Sequence, residues 1–250
     1  MKKAPPLPPT TMDPAGTAHD VLVIGAGLYG ISFARTYLTL HPTATLLILE
    51  SSHSVGGPWS SERMYDAFWT QNTLGTMEWS DYPLEDVPEA EVWRGFFPAR
   101  YVAEYLERYV RREGFGGGSI LERVRFGVKV LGVERGGEGG WKVRVQSTGG
   151  GGGAEGESVM LARKLVVASG LTSVPALPSL PGLEHFAGKV LHHHDLGSWE
   201  RELELAASTR DSKEAPASRT VVLGGGKPPL FSLPPHQSPS QRPSADPLQP

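Results

Sequence analysis

Short apolar runs and one helical pattern alternate near the start of the chain. Asp20–Ile24 is apolar after its first residue and stops at a glycine-rich turn, Leu28–Leu40 is compatible with a helix, and Thr45–Leu49 ends on Glu50. A strand, a tight turn, a helix and a second strand within about 30 residues form one βαβ unit. The pattern therefore predicts a parallel sheet over residues 20–50.

The periodicity is weaker after this unit. Between residues 51 and 97 aromatic residues are dense, which predicts irregular segments packed around a large group. Alternating patterns at 124–133 and 141–145 predict antiparallel strands around a glycine loop, and another strand is expected at 165–168. An amphipathic helix with a packing role is predicted after Pro98 from apolar residues at helical spacing: Val102, Tyr105, Leu106, Tyr109 and Val110.

Together these elements predict an α/β fold class, a Rossmann-like domain whose parallel sheet contains the βαβ unit and is joined by a small antiparallel meander. We expect this domain, with a linker, to occupy residues 18–198. The chain has 31 glycines and 22 prolines, and the prolines are concentrated near both ends. Residues 1–17 are therefore predicted to be a disordered tail rich in proline, and residues 228–250 a disordered tail rich in proline and serine.

Residues 199–227 are predicted to start a second nucleotide-binding domain. This segment ends in an apolar run that leads into glycines, including Gly224 and Gly226, in the same order as the first unit. Pro228 and Pro229 then stand where a phosphate-binding helix would begin, and proline inside a helix costs about 3 kcal/mol. We therefore expect the second domain to begin and not to continue.

Composition excludes several kinds of chemistry. The net charge of -3 and the pI near 6.2 lack the basic footprint of a nucleic-acid-binding protein. The absence of cysteine excludes disulfides and thiolate nucleophiles, so redox chemistry would require an organic cofactor. No apolar run approaches the roughly 20 residues of a membrane helix, and Met1–Pro9 does not resemble a signal peptide. A cytoplasmic protein without a membrane partner is expected.

Gly25, Gly27 and Gly30 form a GxGxxG pattern between the first strand and the helix. The first glycine permits a tight turn, the second lets the backbone approach a pyrophosphate, and the third allows the helix to pack closely on the strand. Glu50 ends the second strand, where a carboxylate accepts a hydrogen bond from a ribose 2′-hydroxyl and would repel a 2′-phosphate. The site is therefore predicted to hold the adenosine end of FAD or NAD, and not that of NADP.

Several later segments match one family. They are Gly56-Gly57-Pro58-Trp59, Gln71-Asn72-Thr73, Trp79-Ser80-Asp81-Tyr82-Pro83, Val166–Gly170 and Phe186-x-Gly188-x-x-x-His192. In these segments the chain resembles the flavin-containing monooxygenases and their relatives, the Baeyer–Villiger monooxygenases, and the resemblance extends over residues 20–227. Three positions depart from the family pattern. Ser169 stands in place of a threonine, Leu196 stands in place of an aromatic residue, and Pro229 stands in place of the third glycine of the second motif that begins Gly224-x-Gly226.

The resemblance implies FAD and NADPH as cofactors and O₂ as the oxidant. NADPH would reduce FAD, and a flavin hydroperoxide would oxygenate a nucleophilic nitrogen or sulfur, as in N,N-dialkylanilines and sulfides, or insert oxygen beside a ketone. The resemblance also implies that Asn72 is a catalytic residue near the reactive edge of the flavin. The cofactor-binding residues that it implies are Gly25, Gly27, Gly30, Glu50, Gly57, Trp59, Val130, Gly170, Gly224 and Gly226.

Other interpretations stay open at this point. Asn72 is also compatible with a loop-capping role, and Trp59 and Val130 with ordinary places in the core. The chain as a whole is either an FAD-dependent monooxygenase or a truncated, catalytically inactive nucleotide-binding remnant. No metal site is expected, because consecutive histidines at 192–194 point to opposite faces of a strand and no other ligand motif is present. The substrate and the oligomeric state are left open.

Overall fold

The computed structural model describes residues 18–66, 68–136, 139–147, 156–171, 173–199 and 221–223. It contains the strands β1 (Ala18–Ile24), β2 (Leu46–Leu49), β3 (Val124–Arg125), β4 (Val128–Arg135), β5 (Trp141–Ser147) and β6 (Glu157–Val167). Among the described residues, the longer α-helices are α1 (Leu28–Leu40) and α2 (Arg100–Val110). Short 3₁₀ turns, among them Gly57–Trp59, shape the segments between these elements.

The strands form one six-stranded sheet in the order β3-β2-β1-β6-β5-β4. β1 pairs in parallel with β2 and with β6, and β2 pairs in parallel with β3. β4, β5 and β6 form the antiparallel meander. Residues 157–162 of β6 pair with β5 while residues 161–167 pair with β1, so one long strand joins the two parts of the sheet.

Two apolar clusters lie on opposite faces of the sheet, since successive side chains of a strand alternate between faces. On one face, Val21, Val23 and Ile48 belong to the cluster formed with α1 and α2. On the other face, Leu22 and Leu49 belong to the cluster formed with the meander. β1 is buried on both faces, which explains why its apolar run is uninterrupted.

The predicted βαβ unit and the bounds of α1 are confirmed. β1 begins at Ala18 and not at Asp20, and β2 begins at Leu46 and not at Thr45. Thr45 precedes β2 and binds the side chain of Asp20: its backbone N–H and its hydroxyl donate to the carboxylate at 2.9 and 3.0 Å. This exchange fastens the start of β2 to β1. The predicted packing role of α2 is also confirmed, since its apolar stripe is buried.

The strands of the meander differ from the predicted ones. β6 begins at Glu157, well before the strand predicted at 165–168. The prediction was too short because the exposed, charged Arg163 and Lys164 interrupt the apolar pattern within the strand. The strand predicted at 124–133 is divided at Gly127, which has a φ of 64° and turns the chain between β3 and β4. A left-handed φ of this kind favours glycine.

The predicted tails at 1–17 and 228–250 lie outside the described residues, as does most of 199–227. Within the described ranges, no helix has the length and apolar character needed to cross a membrane.

We expect Leu38→Ala to lower the free energy of unfolding by about 2–5 kcal/mol, because Leu38 is fully buried and its truncation leaves a cavity under α1. Leu40→Ala is the matched control, since Leu40 lies in the same helix and is 69% exposed. Its effect should stay within about 0.5 kcal/mol. Urea denaturation followed by far-UV circular dichroism measures both, and equal losses would contradict the packing of α1 described above.

Candidate functional site

The turn after β1 approaches its neighbours so closely that side chains do not fit. Gly25 has a φ of +100°, and its N–H donates to the carbonyl of Leu49 at 2.8 Å. A Cβ atom at Gly25 would lie 2.5 Å from the carbonyl oxygen of Ala168, which follows β6. A Cβ atom at Gly30 would overlap the carbonyl oxygen of Gly25. The two glycines therefore allow α1 and β6 to close around the turn, as the spacing predicts.

Gly27 has a different environment. It is the residue before α1, with an extended conformation, and its carbonyl accepts the N–H of Ile31 at 3.0 Å. A Cβ atom here would have its nearest neighbour, the Cα of Gly57, at 3.8 Å. The first N–H groups of a helix lack intrahelical partners, and α1 has no acidic residue in its first turn. This end of α1 is therefore open and suited to an anion such as a pyrophosphate.

Glu50 lies beside this turn and is 7% exposed. Its Oε2 accepts the backbone N–H of Ala26 at 2.7 Å, and its Oε1 accepts the backbone N–H of Ser52 at 2.9 Å. The hydroxyl of Ser51 also donates to Oε1, at 3.4 Å. Each carboxylate oxygen has two lone pairs, so Oε2 retains acceptor capacity for a hydroxyl. The carboxylate is therefore compatible with the predicted ribose contact and also holds the glycine turn itself.

Gly56 and Gly57, which we call the second glycine pair to distinguish them from the glycines of the turn after β1, lie against that turn. Gly56 donates its N–H to the carbonyl of Ala26 at 2.9 Å and pairs with Gly27 in a parallel bridge. Both Gly56 and Gly57 have positive φ, 113° and 61°. A Cβ atom at Gly56 would lie 3.0 Å from backbone atoms of Trp59. Sequence reasoning selected Gly57 and passed over Gly56, although the Gly-Gly dipeptide contains the signal for both.

Trp59 connects this pair to the aromatic segment. Its ring stacks on Phe68 with the ring centroids 5.4 Å apart and the planes 7° from parallel. The neighbouring backbone is fixed, since Thr70 donates its N–H to the carbonyl of Phe97 at 2.9 Å and accepts the N–H of Phe97 on its hydroxyl at 3.1 Å. Asn72 follows this anchor and is exposed. The core role considered for Trp59 is thus partly correct, because the ring is half-buried.

The remaining predicted residues border the same region by different routes. Val128 donates its N–H to the carbonyl of Glu50 at 2.9 Å, and Val130 follows it in β4 just before a register shift that interrupts the pairing with β5. Ala168 donates its N–H to the carbonyl of Ile24 at 2.8 Å, so Gly170 comes shortly after a residue held beside the turn. Gly170 has a φ of +77° and open space around it.

The structure thus brings Gly25, Gly27, Gly30, Glu50 and Gly57 together. Gly224 and Gly226 lie outside the described residues. Of the residues that the structure describes, no three acidic or histidine side chains are grouped so as to hold a metal. In the histidine cluster, the N–H of His194 donates to Nδ1 of His192 at 3.2 Å.

A family model described as flavin-binding monooxygenase-like matches residues 18–201, well over half of the chain. The chain belongs to this family. Among curated relatives of this flavin-binding monooxygenase-like chain, an FAD-dependent monooxygenase of Pyrenophora dematioidea is 34% identical over 222 residues, covering 85% of the chain and 36% of the relative. A probable flavin-containing monooxygenase of Arabidopsis thaliana is 29% identical and covers 74% of the chain and 36% of the relative. The chain spans about a third of the length of these relatives.

Solved structures give the same result for the fold. S-allyl-L-cysteine S-oxygenase from Allium sativum matches with a TM-score of 0.53 and 26% identity, covering 72% of this chain and 42% of that one. Cyclohexanone monooxygenase from Rhodococcus sp. Phi1, bound to NADP+, matches with a TM-score of 0.53 and 27% identity, covering 71% and 30%. The predicted resemblance and the α/β fold class are confirmed for this flavin-binding monooxygenase-like chain.

We expect Gly30→Ala to destabilise the cofactor-free chain by about 1–3 kcal/mol, because the added methyl group overlaps the backbone of Gly25. A decrease in the free energy of unfolding would be informative, since Gly→Ala inside a helix ordinarily stabilises by about 0.5–1 kcal/mol. Gly27→Ala serves as the control, because the new methyl group would lie at ordinary van der Waals distance, 3.8 Å from the Cα of Gly57. Chemical denaturation of both variants measures the effect, and a more stable Gly30→Ala chain would contradict the close contact of α1 and β1.

Glu50→Gln should also lower the free energy of unfolding without any cofactor, by about 1–3 kcal/mol. The carboxylate accepts two backbone N–H groups on different oxygens, and an amide would present its own NH₂ to one of them. Glu62→Gln is the control, because Glu62 accepts the N–H of His53 on a single oxygen, which glutamine retains. If both variants were as stable as the wild type in urea, Glu50 would have no role in holding the turn.

Proposed function

We propose that this flavin-binding monooxygenase-like chain binds FAD, with the AMP half held between the glycine turn, Glu50 and the second glycine pair. These three parts form a cradle, and the different steric environments of its glycines support the proposal. Gly25 and Gly30 are required by contacts within the protein, whereas a Cβ atom at Gly27 would make only ordinary van der Waals contact with Gly57 at the N-terminal end of α1. A glycine without an internal steric reason, at an open helix end, is what close approach of a pyrophosphate requires.

Glu50 favours FAD over NADP at this first site. Its carboxylate lies next to the N-terminal end of α1 and retains acceptor capacity on Oε2. A ribose 2′-hydroxyl would donate to it, whereas a 2′-phosphate would place like charges together. We assign the adenosine of FAD to this site and Val130 to the contact of the β4 backbone with the adenine.

The residues between Trp59 and Asn72 would serve the other end of the cofactor. Trp59 and Phe68 form a stacked pair leading away from the second glycine pair, and the exposed Asn72 follows. FAD, when bound, would supply the redox chemistry that activates O₂. In our proposal the protein binds and orients FAD, Trp59 and Phe68 exclude water beside it, and the amide of Asn72 donates a hydrogen bond near its reacting edge.

For the whole protein we propose FAD-dependent monooxygenation of a small nucleophilic or ketone substrate, with NADPH as the reductant. Support comes from matched proteins whose names describe such reactions, an S-allyl-L-cysteine S-oxygenase and a cyclohexanone monooxygenase bound to NADP+. The acidic, cysteine-free composition supports a cytoplasmic location without nucleic-acid partners.

We expect FAD to bind the wild-type chain and Gly27→Val to weaken that binding at least about tenfold, equivalent to about 1.4 kcal/mol. The Cβ of the valine would clear the protein, with its nearest neighbour at 3.8 Å, and its two further methyl groups would enter the space proposed for the pyrophosphate. The thermal midpoint of the cofactor-free variant checks that the fold is retained. Titration of FAD against the protein, followed by flavin fluorescence, measures the affinity.

Leu40→Val is the control for this titration, since it changes an exposed side chain at the far end of α1. It should bind FAD as the wild type does. Absence of FAD binding to the wild type, or undiminished binding to Gly27→Val with an unchanged thermal midpoint, would overturn the proposed site.

A further inference from the structure

The turn from Trp79 to Tyr82 is held to α1 by two side-chain contacts. Tyr82 donates its N–H to the carbonyl of Trp79 at 2.9 Å, which closes the turn. The indole Nε1–H of Trp79 donates to the hydroxyl of Ser32 at 3.1 Å, and the carboxylate of Asp81 pairs with Arg35 at 2.7 Å. Ser32 and Arg35 are three residues apart on α1 and therefore share one face of it.

The same turn is fastened to α2. The hydroxyl of Tyr105 donates to the carbonyl of Tyr82 at 2.6 Å and accepts the N–H of Trp79 at 2.8 Å. The hydroxyl of Tyr109 donates to the carboxylate of Asp81 at 3.1 Å, and its ring centroid lies 4.1 Å from that of Trp79. We call the turn with these contacts the aromatic clip, defined by Trp79, Asp81 and Tyr82.

Asp81 is the point where the clip joins both helices. Besides Arg35 on α1, its carboxylate pairs with Arg112 after α2 at 3.3 Å. Burial raises the pKa of Asp81, but its backbone, Tyr109 and the two arginines outweigh burial and lower the pKa below its ordinary value. The guanidinium of Arg112 also lies over the ring of Tyr82, 4.6 Å from its centroid. A charged carboxylate between two cations thus links α1, α2 and the clip.

The clip is also one end of the span that contains Asn72. Residues 71–78 run from Thr70, which is held to Phe97, to Trp79, which is held to α1. Within the span, Leu74 donates its N–H to the carbonyl of Gly95 at 2.8 Å. The position of the span therefore depends on α1, whose N-terminal end faces the proposed pyrophosphate site.

We propose that Asp81 is a positioning residue that couples cofactor binding at the glycine turn to the order of residues 71–78. The inference deepens the proposed function and rests on it. A ligand that fixes the N-terminal end of α1 fixes Ser32 and Arg35 on the same helix. Through the aromatic clip it also holds the span that presents Asn72. Because the ion pair of Asp81 with Arg35 is part of this connection, its loss weakens the effect of the cofactor on the span.

The experiment compares hydrogen exchange of the Leu74 and Thr76 amides with and without saturating FAD in the full chain. Both amides donate to carbonyls within this region, Leu74 to Gly95 and Thr76 to Thr73. In the wild type we expect FAD to slow their exchange by at least about fivefold, the lower range of usual coupling between sites. In Asp81→Asn the slowing should fall below about twofold, because the amide retains the shape of Asp81 without its charge.

Asp86→Asn is the matched control, since Asp86 pairs with Arg108 on α2 and has no described contact with α1. It should preserve the full slowing by FAD. Arg35→Gln removes only the α1 side of the network and should reproduce Asp81→Asn, which keeps the test decisive if Asp81→Asn folds poorly. Asp81→Glu retains the charge and should recover most of the effect. A purely structural role would speed exchange equally with and without FAD.

The affinity for FAD, measured in the same samples, separates the two proposals. Equal slowing by FAD in the wild type, Asp81→Asn and Arg35→Gln would overturn the coupling and leave FAD binding intact. Absence of FAD binding to the wild type would overturn the proposed function and the coupling together.

Discussion

The hydrogen bonds of Glu50 join four segments of the chain, and the candidate site depends on them. The side chain accepts backbone N–H groups of Ala26 and Ser52, while the backbone donates to the carbonyl of Arg125 and accepts the N–H of Val128. The glycine turn, the end of β2, β3 and the start of β4 therefore meet at one residue. A carboxylate with two oxygens satisfies two buried donors at once, which no neutral side chain of this size does as well. The same carboxylate remains next to the open end of α1.

This arrangement separates the glycines by their physical roles. Gly25 and Gly30 are required by contacts within the protein, whether or not a ligand is bound, while Gly27 is required by no internal contact. Gly56 and Gly57 extend the turn by a parallel bridge and lead to the stacked pair of Trp59 and Phe68.

Much of this site could be predicted from the sequence because its signals are local. The GxGxxG spacing and the apolar runs around it determined β1, α1 and the place of Glu50. The second glycine pair was only half recognised, since the need for Gly56 arises from the backbone of Trp59 in a turn that spacing does not reveal. β6 was predicted far too short, because Arg163 and Lys164 are exposed inside a strand that has partners on both sides. The aromatic clip was visible as a motif, but its contacts with Ser32 and Arg35 depend on tertiary packing that no local pattern encodes.

We infer that the first nucleotide site holds an adenosine diphosphate with an unmodified ribose. Calorimetric titration of the cofactor-free chain with ADP and with its 2′-phosphorylated counterpart tests this assignment. The two ligands share the adenine and the pyrophosphate, so their difference reports on the ribose contact of Glu50 alone. We predict that ADP binds at least about tenfold more tightly, because the second ligand brings a phosphate against the carboxylate. We also predict that ADP competes with FAD for this site. Equal affinity for the two ligands, or tighter binding of the 2′-phosphorylated one, would contradict the account.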